Sequence, residues 1–230
     1  KLYQGVYFKW GSLIGVDPVS SSFGSDTYLF IPDLSTGKYI KTTVGDVGTN
    51  ASVYYAAVSN SVTWDAIPYV TDALGPDYLQ TNDDLTAYSN TASYQGYRGD
   101  ICRFLSNSTG VSGSWRLPKS AEFGYGVDYV ITGMTNAASE TTTDVNGKDP
   151  MTYYVTSEAI SHNGKEVTFP ASGCRNYNSN LNNVGLAGFY WSLSASSWEN
   201  AYKLLFNSSD ATPYLGYGRY FGFSLKCVRE

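Results

Sequence analysis

Apolar and polar residues alternate from Leu2 to Ile14, in a stretch rich in Tyr, Phe, Trp and Val, which predicts a strand or strand pair interrupted at Gly11. Strand-like runs recur at Thr27 to Ile31, Ser52 to Val58 and Ile67 to Val70, separated by turn-forming stretches such as PDLSTGK and LGPDY. Helical patterning is sparse. Ile101, Cys102 and Leu105 follow Asp100 at helical spacing, which predicts a short helix over Gly99 to Ser106 with Asp100 as its N-cap or first-turn acid. A second short helix is expected at Lys119 to Phe123, reached through Pro118. Strands are then expected at Asp128 to Thr132, Thr152 to Val155, Glu166 to Phe169, Ala201 to Phe206 and Tyr220 to Val228, with a polar loop from Ser139 to Pro150. No repeat of fixed period and no linker interrupts the pattern. A few short helices ahead of a run of strands predict an α+β fold in a single domain spanning residues 1–230.

Composition moves the picture toward an extracellular binding protein. Charged residues make up 15% of the chain and aromatic residues 16%, with 21 Tyr and 23 Gly, so solubility rests on neutral polar groups. The net charge is -5 and no run of Lys or Arg exceeds two residues, which argues against nucleic acid or an anionic membrane surface as partner. No apolar stretch approaches the length of about 20 residues that a bilayer crossing needs, so no membrane insertion of this domain is expected. The opening residues carry no signal-peptide pattern, and the chain reads as mature or trimmed.

Candidate chemistry is thin. His162, the sole histidine, stands in the turn-like SHNGKE and reads as an exposed turn residue rather than a base. No GxSxG, phosphate loop or HExxH is present, and apart from Asp83-Asp84 the acids are scattered singly. Asp144, Asn146 and Asp149 alternate as calcium ligands do, but the closing acid of such a loop is missing and an Asn-Gly turn is the plainer reading. The sequence thus predicts a protein that is not an enzyme and carries no cofactor and no metal. Cys102, Cys174 and Cys227 lack metal-site spacing; one disulfide and one spare thiol is the simplest arithmetic.

The segment from Cys174 to Phe221 is the most unusual. Asn, Ser, Tyr and Gly dominate it, with Tyr177, Phe189, Tyr190, Trp191, Trp198, Tyr202, Tyr214, Tyr217, Tyr220 and Phe221 interspersed. Tyr and Trp offer large contact area with few rotors to freeze, while Ser, Gly and Asn adapt their hydrogen bonds, the mixture found in antibody paratopes. The core is expected to claim Tyr190, Trp191, Leu204, Phe206 and Phe223, leaving many of the other rings at the surface.

Three motifs occur in order: WRLPKSAEF at Trp115 to Phe123, GFYWSLS at Gly188 to Ser194, and RYFGFSLKCVRE at Arg219 to Glu230. Together with GDICRFL and YFKWGSLIG they resemble C-type-lectin-like domains of gut Bacteroidetes surface and pilus proteins over most of the chain. Lys119, Leu193 and Lys226 depart from the family's usual Thr, Ser and Arg. The resemblance implies a C-type-lectin-like fold, with short helices on a small twisted antiparallel sheet and long irregular loops. It also implies a disulfide between Cys102 and Cys227 that leaves Cys174 free, a closure that contributes on the order of 4–5 kcal/mol by loop entropy. Calcium-dependent sugar binding in animal members requires an EPN or QPD tripeptide and a WND segment, of which this chain has only Trp198-Glu199-Asn200.

Some relatives in that family are variable proteins of diversity-generating retroelements, in which adenines of a template copy are randomised. On that pattern the candidate variable, ligand-binding positions are Phe189, Leu193, Ala195, Leu205, Asp210, Thr212, Tyr214, Leu215, Tyr217, Tyr220 and Phe221. Trp198, Glu199 and Lys203 cannot arise from randomised AAC or AAT codons and belong to the scaffold in this reading. The expected function is cell adhesion: a bacterial cell-surface, pilus-tip domain that binds a protein or glycan ligand and adjoins other pilus subunits. The alternatives are a structural pilus subunit, whose aromatics bury against a neighbour as one apolar patch, and a lectin-fold oxidase-like enzyme. The last requires Cys174 and Cys227 together in an open pocket.

Overall fold

The computed structural model describes residues 5–34, 36–47, 62–70, 97–108, 113–123, 152–155, 167–207 and 211–230. The N-terminal alternation forms strands β1 (Tyr7–Phe8) and β2 (Gly15–Val16), which pair with β3 (Tyr28–Pro32) and β4 (Tyr39–Thr43) in an antiparallel sheet ordered β1-β2-β3-β4. Gly11, between β1 and β2, takes φ +74°, and a Cβ there would lie 2.0 Å from the Val70 side chain, so only glycine lets the chain turn at this point. The expected strand at Ile67 to Val70 is instead an irregular stretch. Its Ile67 and Val70 side chains enter the core, and its backbone is held by the Lys9 ammonium, which donates to Trp64 O (2.6 Å) and Ile67 O (3.2 Å). The runs expected as strands at Ser52 to Val58 and Asp128 to Thr132 lie outside the described residues.

Helix α1 (Ile101–Ser108) forms where the spacing predicts it. Asp100 caps it, accepting from the backbone N–H of Cys102 (2.9 Å), and the same carboxylate accepts from Leu117 N (3.0 Å), tying the helix to β5 (Trp115–Arg116). Burial raises the Asp100 pKa to about 6, against the pull of the Leu117, Cys102 and Arg103 N–H groups and the Arg103 guanidinium. The disulfide joins α1 to the chain's end, Cys102 to Cys227, across 125 residues of sequence.

The expected α+β class does not hold: among the described residues the fold is mainly β, with several small antiparallel sheets and a single α-helix. The second expected helix is one 3₁₀ turn, Ser120–Phe123. Glu122 explains its shortness. Its carboxylate accepts from Lys119 N (2.7 Å) and pairs with both Arg116 guanidinium nitrogens (2.6 Å each), closing the turn back onto β5. Strands β6 (Thr152–Val155) and β7 (Val167–Pro170) pair as a hairpin, β8 (Cys174–Arg175) pairs with β9 (Leu181–Asn182), and the terminal β13 (Val228–Arg229) pairs with β5.

The C-terminal sheet is an antiparallel meander of β10 (Ala187–Ala195), β11 (Asn200–Asn207) and β12 (Ala211–Gly218). All nine residues of β10 are buried. Phe189, Trp191, Leu193 and Ala195 enter the main core beside Trp10, Phe104, Phe221 and Phe223, whereas Tyr190, with Leu204 and Phe206 of β11, packs on the opposite side against Phe169 and Phe123. Tyr190, Trp191, Leu204, Phe206 and Phe223 are all buried, as the sequence predicts. The segment after β12 fastens the two larger sheets together. Phe223 exchanges both backbone hydrogen bonds with Phe8 (2.9 and 3.0 Å), and Ser224 bonds to Phe189 and Trp191 of β10.

Candidate ligand-binding face

Opposed residues of antiparallel strands project from the same face of a sheet, so register decides which candidate positions meet. Three rows cross the meander: Phe189–Leu205–Thr212, Trp191–Lys203–Leu215 and Ala195–Ala201–Tyr217. Phe189, Ala195, Leu205, Thr212, Leu215 and Tyr217 therefore share one face. In these rows the β10 members are buried, Leu205, Thr212 and Tyr217 are half-buried, and Leu215 is 40% exposed. Leu193 is buried in the same core cluster. Tyr214 lies on β12, and Asp210 is outside the described residues.

Tyr220 and Phe221 follow β12 in a turn and extend this face. Phe221 is buried with its ring edge-on to Tyr217 (4.5 Å between centroids) and 5.0 Å from Tyr220, which is 41% exposed. On its inner side lies Phe223 (5.9 Å), itself against Trp191 (4.2 Å) and Phe189 (5.2 Å). A continuous path of rings thus runs from the core to the solvent-facing Tyr220, with Tyr177 (62% exposed) joining it 6.3 Å from Phe221.

Beneath that path sits a group whose position sequence reasoning did not foresee. Lys203 is fully buried, with its ammonium 4.7 Å from the Tyr217 ring centroid, 5.2 Å from Phe189 and 5.9 Å from Phe223. Among the described residues its Nζ has no hydrogen-bond partner. Burial lowers its pKa to about 7, against a weaker opposing effect of Cys174. Cation–π attraction is what the site offers this charge in place of water. Lys203, expected as scaffold from its codon, is fully buried.

Buried guanidiniums hold the loops that flank the face. Arg219 lies over the Trp10 ring (4.2 Å) and donates to the carbonyls of Ser197, Asn200 and Val70, fixing the β10–β11 turn that carries Trp198, 61% exposed. Arg175 donates to Ser179 O (2.7 Å), Ser20 O (2.8 Å) and Asp17 O (2.8 Å), fixing the β8–β9 hairpin that carries Tyr177. Burial raises the Asp17 pKa, but backbone N–H donors from Ser20, Tyr28 and Val19 outweigh it and hold the carboxyl below its ordinary value. Buried arginines are hard to read from sequence, because a charged residue is ordinarily assigned to the surface.

The oxidase-like arrangement does not form: Cys227 is bonded to Cys102, and Cys174 is a free, buried thiol whose pKa burial pushes up to about 12. Asp83, Asp84, Asp144, Asn146, Asp149 and His162 lie outside the described residues; among those described, no three His, Cys, Asp or Glu residues are grouped to hold a metal ion. No helix among them is long and apolar enough to cross a membrane. No protein-family profile, curated protein or solved structure matches this chain.

Proposed function

We propose that this chain is the ligand-binding domain of a bacterial surface adhesin, borne at the tip of a pilus, with its binding face on β12 and the turn after it. The observation that carries this reading is the ring path that leads from Trp191 and Phe223 through Phe221 to exposed Tyr220, alongside rows that end at Leu215 and Tyr217. Rigid aromatic anchors seated on a packed base give binding energy at low entropic cost, and such residues dominate measured hot spots. Polar Asn178, Ser197 and Glu199 neighbour the exposed Tyr177 and Trp198 in sequence, which favours a receptor face over the continuous apolar patch of a structural subunit. The resemblance of the ordered motifs to Bacteroidetes surface and pilus proteins supports the same reading, and with it the idea that a retroelement diversifies this face.

Arrays of extracellular proteins and glycans, probed with the wild-type domain and a Tyr220→Ala/Leu215→Ala variant, test the proposal. Loss of an exposed ring and an apolar anchor is expected to weaken binding by about tenfold or more, each 1.4 kcal/mol being a factor of ten. Thermal unfolding of the variant should match wild type. Binding that is indifferent to both substitutions contradicts the assignment.

A further inference from the structure

A second concave surface lies where three segments from different parts of the chain converge. It is lined by Phe23–Ser25 with Val44, by the turn Val62–Asp65 and by the hairpin tip Tyr177–Ser179. The open cleft has a volume of about 400 Å3, within the range of small-molecule sites. Only Tyr177 is shared with the ring path around Phe221, so this site stands whether or not the β12 face binds a ligand.

Each segment is fixed without a ligand. Arg175 clamps the hairpin through Ser179 O, and Lys9 holds the Val62–Asp65 turn through Trp64 O. The Phe23–Ser25 segment is held by Gly24 N donating to Thr27 Oγ1 (2.9 Å) and by Gly45 N donating to Ser25 O (2.8 Å). The Lys9 ammonium also lies 4.8 Å from the Trp64 ring centroid, and Phe23 meets Trp64 edge to face at 5.8 Å. A site held this way needs little ordering on binding.

We propose that the cleft binds a neutral sugar unit. A pyranose ring presents a face of C–H groups and a rim of hydroxyls. The negative face of an aromatic ring attracts the former, and Tyr177 holds such a ring largely in water on a rigid tip. Ser25, Thr63, Asp65, Asn178 and Ser179 supply carboxylate, amide and hydroxyl partners for the latter. Among the described residues that line the cleft, none is Lys, Arg or His and Asp65 is the one charged group, so anionic sugars meet no complementary charge there. A cationic amine is disfavoured too, because the Lys9 ammonium already stands over the Trp64 ring. A shallow site of this kind gains strength when many copies on a fibre engage one glycan surface.

The test is two-dimensional amide NMR of the 230-residue domain, titrated with glucose, galactose, mannose, N-acetylglucosamine and their β1-4 disaccharides, with glucuronate and choline as charged counterparts. At least one neutral sugar is expected to shift the amides of 23–25, 62–65 and 177–179. Tyr177→Ala is expected to weaken that sugar about tenfold and Asp65→Asn severalfold, the folded spectrum being otherwise retained. Shifts confined to the Leu215 to Phe221 region, tighter binding of glucuronate or choline, or no shift with any neutral sugar would each overturn the proposal. So would equal affinity of both variants and wild type.

Discussion

Replacing Lys203 by Met should stabilise the protein at neutral pH and flatten its stability profile above it. The Lys203 ammonium is fully buried, has no hydrogen-bond partner among the described residues and has a pKa lowered to about 7 by burial. In the unfolded chain a lysine titrates near 10.4. Between those values the unfolded state binds the extra proton, so stability rises with pH from about 7 to about 10 and has no further dependence on this group below that range. The linkage integral gives a penalty of roughly 4 kcal/mol at pH 7 and roughly 2 kcal/mol at pH 9. Methionine keeps the unbranched chain and removes the charge, and the lowered pKa already nets the cation–π attraction against burial. The variant should therefore be more stable by up to roughly 4 kcal/mol at pH 7. Urea unfolding of both proteins at pH 7, 8 and 9 reads this directly. Wild type should gain about 2 kcal/mol more than the variant across that interval. Lys9, whose pKa burial also lowers to about 7, is common to both and cancels in the difference. Parallel profiles would refute the reasoning and mean that the Lys203 charge is satisfied in the folded protein.

Reduction of the Cys102–Cys227 bond, or a Cys102→Ser/Cys227→Ser variant, should lower stability by up to about 5 kcal/mol, the chain-entropy value for a loop closed across 125 residues, read as a fall in the urea midpoint. Unchanged stability after complete reduction would show that the bond contributes nothing. Cys174, buried with a pKa pushed up to about 12, should resist thiol reagents at pH 8 in the native protein and react once urea unfolds it. Labelling within seconds under native conditions would place that thiol in an open environment instead.

What the sequence discloses here follows from where polar groups lie. The helix at Ile101 was legible because Asp100 caps it and its apolar residues repeat at helical spacing. The inward rings at Tyr190, Trp191, Leu204, Phe206 and Phe223 were legible from their apolar character. Strand β10 is not legible as a strand because both its faces are buried, which removes the alternation, and because Ser192 and Ser194 look like surface residues. In the fold the Ser192 hydroxyl donates to Tyr202 O (2.8 Å) and is satisfied inside the core. Strand β12 was hidden by Pro213, Gly216 and Gly218, residues that read as turn. The α+β expectation failed at Lys119 to Phe123, where helix-compatible residues close into a single turn around Glu122. At the candidate face, residue types gave the aromatic and polar character. The register that aligns Phe189 with Leu205 and Thr212, and the burial of Lys203, Arg175 and Arg219, depend on long-range packing that spacing along the chain does not encode.

The proposed function divides the domain between a fixed, buried scaffold and a changeable outer face. Sequencing the codons for residues 187–230 across a population of the source organism tests it most directly, together with a search for a nearby near-copy differing at adenines. Substitutions concentrated at Leu205, Thr212, Leu215, Tyr217 and Tyr220, with Lys203, Trp191, Phe223 and Cys227 constant, are the predicted result. An invariant segment, or substitutions falling as often on Lys203 and Trp191 as on Tyr220, would contradict it.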